Sequence, residues 1–281
     1  MRESLRGKKR IVIKAGSSSL MHRETDRLDL IKLEILVREL CEIRNRGCDA
    51  VLVSSGAIAV GRQALGIDMC ASLSMAEKQA CAAVGQGKLM MVYQKLFGEY
   101  NRVCGQVLLT KETAQNEESL GNARGTFEEL MKLGVVPVVN ENDTVTTDEI
   151  DALAAFGDND TLSAVVADIV GADLLMILSD IDGLYTDDPH RSSSAEFIDR
   201  VDSIDEHLLS LGKDTTGTGV GTGGMATKLK AAKIAVKSGI DTVIASGEDF
   251  HVVHHILAGE EIGTFFTAHK DEDFNLIDEL R

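Results

Sequence analysis

The sequence predicts an α/β fold with a mostly parallel central sheet, on three observations. Short β-branched or apolar runs alternate along the chain with stretches of helical periodicity, the pattern of βαβ units. The first two runs break into glycine-serine turns, as strands do at the ligand crevice of an open parallel sheet. At 281 residues, 44% of them hydrophobic, the chain can bury a substantial core as one large domain or two lobes. Its only prolines are Pro137 and Pro189, and no repeat or low-complexity tract marks a domain boundary.

Residues 10–15 (RIVIKA) form the first strand, which has Lys14 at its carboxyl end and runs into Gly16-Ser17-Ser18-Ser19. A lysine followed by Gly-Ser at a strand's carboxyl end is placed to meet phosphate oxygens; taken alone it reads as a solvated charge. Leu28, Ile31, Ile35, Leu36, Leu40 and Ile43 then recur at helical spacing up to a stop at Gly47. The second strand, 49–54 (DAVLVS), ends in Ser54-Ser55-Gly56-Ala57, which opens a helix. That turn offers N–H groups and a hydroxyl to a carboxylate or phosphate, or else Ser55 is an ordinary N-cap. Ser74 and Glu77 make a capping box before a long amphipathic helix through Tyr93 and Tyr100, whose apolar surplus reads as core or as a subunit interface.

Further strands fall at 105–109 and 135–139 (VVPVV), with a helix at 122–133 between them closed by Gly134. Asn140-Glu141-Asn142-Asp143 follows, and Asp143 reads equally as a turn residue and as the negative charge that meets a substrate ammonium group. A loop at 146–156 leads to Gly157-Asp158-Asn159-Asp160 and the helix TLSAVVADIVGA, ending near Gly171. Asp158 and Asp160, before or inside its first turn, suit capping and the helix dipole; they also suit two lysines or a hydrated magnesium ion. A fifth strand, 174–178, ends in Ser179-Asp180, and Tyr185 to Pro189 form a loop that suits an adenine or ribose. A short helix at 204–211, a strand at 242–245, a helix at 249–258 and a last strand at 264–267 complete the chain. His251, His254 and His255 lie at i, i+3 and i+4 on that late helix, but no carboxylate follows at zinc-site spacing, so they read as surface histidines.

Between these elements lies GTGVGTGGMATK, ending on Lys228. Its glycines let several N–H groups turn toward one anion, and the helix that follows puts Lys228 in its first turn, at the positive dipole end. On composition alone the run also reads as a flexible linker. Gly219, Gly221 and Gly224 spell a dinucleotide fingerprint, but helix and loop precede them where that motif needs a strand. A P-loop needs adjacent GK[ST], which neither Lys228 nor Gly87-Lys88-Leu89 satisfies. The net charge of -16 argues against nucleic-acid and anionic-membrane partners. No signal-peptide core or spanning run is present, and five cysteines without a CxxC pair read as reduced thiols, so a cytoplasmic location is expected.

Taken together, IVIKAGSSS, LVSSGAIAVGR, VVNENDTV, GDNDTLSAVVA, LSDIDGLYTDDP and GTGVGTGGMATKLKAA resemble the glutamate 5-kinases of the amino acid kinase family, over almost the whole chain. The resemblance implies a three-layer α-β-α sandwich as one domain over 1–281, with the amino-acid site in the N-terminal half and the nucleotide site in the C-terminal half. It implies transfer of the γ-phosphoryl group of ATP, with Mg²⁺, to the side-chain carboxylate of L-glutamate. By motif position, Lys14 contacts the transferring phosphate, Lys228 stabilises the ADP leaving group and Asp160 orients both lysines. Ser55, Asp143 and Asn159 correspond to glutamate-binding residues; Lys14, Gly16, Ser179, Asp180, Thr222, Gly223, Gly224, Met225, Ala226, Thr227 and Lys228 correspond to nucleotide-binding ones, with no residue assigned as a direct metal ligand. The glycine run is then the nucleotide-side half of a divided phosphate site, ordered when ATP is bound. A homo-oligomer (dimer or tetramer), proline as feedback inhibitor and coupling to glutamyl phosphate reductase are implied as well. A carboxylate acceptor, with a pKa of about 4.3, is ionised at neutral pH and needs no general base. The chain departs from the pattern in three places: Ser179 replaces threonine, the loop TDEIDALAAF is longer, and no C-terminal PUA domain is expected.

Overall fold

The computed structural model describes residues 2–68, 71–145, 158–187, 194–211 and 224–280. Its strands are β1 (Arg10–Ala15), β2 (Asp49–Ser54), β3 (Cys104–Leu109), β4 (Val136–Glu141), β5 (Leu174–Ser179), β6 (Leu184–Tyr185), β7 (Phe197–Ile198), β8 (Arg200–Val201), β9 (Asp241–Ser246) and β10 (Thr264–Phe266). Eight of them make one sheet in the order β3-β4-β2-β1-β5-β9-β10-β8. Pairing is parallel throughout except between β9 and β10. From β1 the chain goes first to β2 on one side and later to β5 on the other. The order therefore reverses at β1, and a crevice opens there at the strands' carboxyl ends.

Alternation along the strands sorts the core into two layers. Val12, Val53, Leu175 and Ile177 pack against the Asn159–Val170 and Met225–Lys237 helices, through Leu162, Val165, Leu229 and Ala232. Ile11, Ile13, Leu52 and Met176 point the other way, onto the Leu30–Asn45 and Met75–Glu99 helices. The result is the expected three-layer α-β-α sandwich. The same period of two sends Lys14 to the face of Val12, and Ser54 and Asn140 to the face of Leu52 and Val138.

Several expectations need correction. The helix expected at 122–133 is Glu117–Lys132; the Asn116 side chain accepts from Ser119 N–H and starts it earlier, with two glutamates in the first turn. Ile31, counted on the apolar face of the first long helix, is 73% exposed, because Asp29 caps Leu30–Asn45 in a phase that turns Leu33, Leu36, Val37 and Leu40 inward. The last strand stops at Phe266 and runs antiparallel to β9. The two-residue strands β6, β7 and β8 were not anticipated, being too short to carry a period.

Candidate active site

Lys14, near the carboxyl end of β1, lies on the face covered by the helices that start at Asn159 and Met225, so it meets the first turn of each. Lys14 Nζ lies 2.6 Å from Asp160 Oδ1, and Lys228 Nζ lies 3.2 Å from Asp160 Oδ2. All three side chains are buried, with Asp160 only 1% exposed. Thr227 Oγ1 is 3.2 Å from Asp160 Oδ2 and 2.8 Å from the Gly224 carbonyl oxygen, which ties the end of the glycine run to the same carboxylate. Burial pushes the Asp160 carboxyl up, but the two lysines outweigh it and hold it below the usual carboxylate range. Neighbouring Asp158 caps the helix, accepting from Thr161 N–H at 2.7 Å, and its pKa is raised by burial and then by the charge of Asp160.

The glycines around this cluster serve different ends. Gly16 has ordinary extended angles (φ -73°, ψ 156°), and its N–H donates to the Leu178 carbonyl at 3.4 Å, not into the crevice. What glycine supplies there is room, since a Cβ would stand 3.2 Å from Lys14 Nζ. Gly56, at φ 100°, is left-handed and is the cap residue of the Ala57–Leu65 helix, so Ser55 is not the N-cap. Gly224 caps Met225–Lys237 with no side chain, and Met225, Ala226, Thr227 and Lys228 form the first turn. Thr222 and Gly223, with the expected ATP-dependent ordering of their loop, lie outside the described residues, as do Pro189 and the loop at 146–156.

On the other side of the cluster, Asn159 Nδ2 donates to Ser55 Oγ at 2.7 Å and to Asn140 Oδ1 at 3.0 Å. Asn140 Nδ2 in turn donates to Gln86 Oε1 at 3.1 Å. Asp143 follows β4 in a turn, half-buried, and burial pushes its carboxyl up to about 6. Ser179, at the end of β5, is buried and donates through Oγ to Oδ1 of exposed Asp180 at 2.9 Å. Lys14, Asp160 and Lys228 thus form one charged cluster and Ser55, Asn159, Asn140 and Gln86 one hydrogen-bonded row, the two meeting where Asn159 precedes Asp160 in the chain, with Asp143 and Ser179 at the ends of the neighbouring strands. Each of the late histidines 251 and 255 instead pairs with its own surface carboxylate, Asp249 and Glu260.

Sequence reasoning missed Gln86 and the part played by Asn140. The available signal was a glutamine on the inward stripe of the Met75–Glu99 helix, between Ala82 and Leu89. A helix-facing glycine brings it there: a Cβ on Gly85 would stand 1.8 Å from the Ala57 carbonyl oxygen, so only glycine lets the two helices cross this closely.

The cluster combines two cations held by one anion with a row of amide and hydroxyl groups beside it. That is suited to binding phosphate charge next to a small polar substrate. Comparisons with known proteins give the family. Residues 9–246 match the amino acid kinase family. The glutamate 5-kinase of Carboxydothermus hydrogenoformans is 51% identical over 274 residues, covering 98% of this chain and 72% of that protein. The glutamate 5-kinase of Clostridium perfringens is 46% identical, covering 97% of this chain and 100% of that one. Among solved structures, Giardia lamblia carbamate kinase bound to AMP-PNP superposes with a TM-score of 0.64 at 17% identity, covering 95% of this chain and 100% of that one. UMP kinase of Bacillus anthracis gives 0.61 at 15% identity, covering 93% and 96%. These last two likenesses concern the fold.

Proposed function

The chain belongs to the amino acid kinase family, among its glutamate 5-kinases, and from that premise we propose how the cluster at Asp160 performs the reaction. The reaction is phosphorylation of the side-chain carboxylate of L-glutamate by ATP, giving L-glutamyl 5-phosphate, the first step toward proline. The acceptor is already an anion at neutral pH, so the protein's task is to bring two negative groups together and to stabilise the charge that moves between them.

The observation that carries the reading is one buried carboxylate holding two lysines from opposite halves of the chain. Lys14, at the glutamate side, binds the phosphoryl group in transit. Lys228, in the first turn of a helix whose dipole adds to its charge, stabilises the ADP oxygen that leaves. Asp160 keeps the two ammonium groups apart and aimed. Ser55, Asn159 and Asp143 hold glutamate, with Asp143 meeting its ammonium group. Gly224 to Lys228, Ser179, Asp180 and the turn at Gly16 hold the nucleotide, together with Thr222 and Gly223.

Among the described residues, those of the cluster do not fit a dedicated metal cage. Both oxygens of Asp160 face lysines, and Asp158 spends one oxygen on its helix cap. Magnesium would enter with ATP and would supply neutralisation of phosphate charge, with neither Asp158 nor Asp160 as a dedicated ligand. Dimeric or tetrameric assembly, inhibition by proline, delivery of the product to glutamyl phosphate reductase and a cytoplasmic location belong to the same proposal. Among the described residues, no helix is long and apolar enough to cross a membrane.

The test is ATP turnover with L-glutamate in the presence of hydroxylamine, which traps the acyl phosphate as a hydroxamate. Glutamate hydroxamate is expected; product from aspartate or another acid, with none from glutamate, would move the chain to a different substrate.

A further inference from the structure

Gln86 is a polar side chain on a buried helix face, 8% exposed, and the fold makes a specific use of it. The Met75–Glu99 helix turns Cys81, Ala82, Gly85, Leu89, Met90 and Tyr93 inward, and Gln86 falls on that stripe. Close contact at Gly85 seats this helix on the Ala57–Leu65 helix, and Gln86 meets β4, where alternation has turned Asn140 to the same face. Gln86 Oε1 accepts from Asn140 Nδ2 at 3.1 Å, and Asn140 is itself only 3% exposed.

An amide has a donating end and an accepting end, so fixing one end fixes the other. With Nδ2 turned to Gln86, Asn140 presents Oδ1 to Asn159. Asn159 must then turn Nδ2 toward it, and its two N–H bonds are both committed, one to Asn140 Oδ1 and one to Ser55 Oγ. Two consequences reach the crevice. Asn159 has only its carbonyl oxygen left to offer a ligand. Ser55, accepting through Oγ, keeps its own proton to donate.

We propose that Gln86 is a positioning residue that sets the polarity of this relay, so that Asn159 Oδ1 receives the ammonium group of bound glutamate beside Asp143 while the Ser55 hydroxyl donates to a carboxylate. The proposal rests on the reading of Ser55, Asp143 and Asn159 as the glutamate site. Without an acceptor at position 86, Asn140 gains nothing from this orientation. The relay then inverts as readily, and Asn159 turns N–H toward an ammonium group that needs an acceptor.

The experiment compares wild type with Q86M, Q86L and Q86E. The first two keep the volume and remove the acceptor; the third keeps an acceptor whether its carboxyl is ionised or not. The readout is the ratio of kcat/KM for L-glutamate to that for glutarate, which lacks only the ammonium group, measured by hydroxamate formation and accompanied by Tm. Loss of a buried hydrogen bond to a charged group should lower this ratio about tenfold in Q86M or Q86L, with KM for ATP unchanged, while Q86E keeps the wild-type ratio. Equal loss toward both acids would mean that Gln86 only supports packing, and a folded Q86E with a collapsed ratio would also overturn the proposal, even if neither apolar variant folds. Wild type without glutamate hydroxamate would instead remove the functional reading, and this proposal with it.

Discussion

Lys14 Nζ sits 2.6 Å from Asp160 Oδ1 in a place that water hardly reaches, with the two side chains 8% and 1% exposed. Charges so buried are tolerated only as partners, and Asp160 is also the partner of Lys228. Replacing it by asparagine keeps the shape and leaves two buried ammonium groups without an anion between them. Breaking a buried pair in this way costs about 3–5 kcal/mol. Asp160→Asn should therefore lower Tm, lower kcat by roughly a hundredfold and recover part of its stability when ATP supplies the missing negative charge. A variant with wild-type Tm and turnover would show that Asp160 does not organise the lysines. Because the folded-state pKa of Asp160 is lowered, its contribution is present above the unfolded carboxylate pKa and is lost as pH falls through the folded value.

Lys228→Ala separates binding from chemistry. A group that acts on the leaving ADP oxygen is felt most in the transition state, so kcat should fall by about a hundredfold or more while KM for glutamate changes little. Steady-state kinetics with glutamate varied at saturating ATP gives both numbers. Comparable losses in the two would assign Lys228 to general structure.

Asp143 predicts a pH dependence. Burial raises its carboxyl to about 6, so in the free enzyme it loses its charge as pH falls through that value. The kcat/KM for glutamate should drop on the acid side of about pH 6, and Asp143→Asn should lose this limb along with most glutamate affinity. For stability the sign is opposite to that of Asp160. A raised acid pKa stabilises the ligand-free fold below the unfolded value of 3.8, and that contribution disappears as pH rises toward 6. Asp143→Asn should then melt higher than wild type at pH 7, with the gap closing toward pH 4. A gap that does not change with pH would rule out this origin.

Two glycines make a matched pair of tests. Gly56 sits at φ 100°, so Gly56→Ala should cost about 1–3 kcal/mol in backbone strain and lower Tm. Gly16 has an unstrained backbone, but a Cβ there would press on Lys14 Nζ at 3.2 Å. Gly16→Ala should leave Tm within a degree or two and lower kcat. If Gly16→Ala instead melted early with normal kcat, the glycine would be serving the fold and not the lysine.

What the sequence determined by itself was everything that repeats locally. Alternation of strand and helix patterns implied the α/β class, and glycine-serine turns after the first two strands marked the edge of the sheet where the candidate site lies. The ordered motifs named the lysines and Asp160. Chain neighbours carry such signals because backbone preference and amphipathic period are short-range properties.

The resemblance already implied that Asp160 stands between the two lysines; the tertiary structure decided how the groups come to meet. Lys14 reaches Asp160 because β1 lies at the reversal of strand order and because position 14 shares the face of Val12, facing the helices that begin at Asn159 and Met225. Gln86 reaches Asn140 because two glycine-lined helices cross closely enough to bring a buried amide onto β4. The geometry of neither meeting follows from residue spacing along the chain, since sheet order and helix approach are fixed by burying both faces of the sheet at once. That global packing turns a set of plausible turns into one charged, polar-matched site.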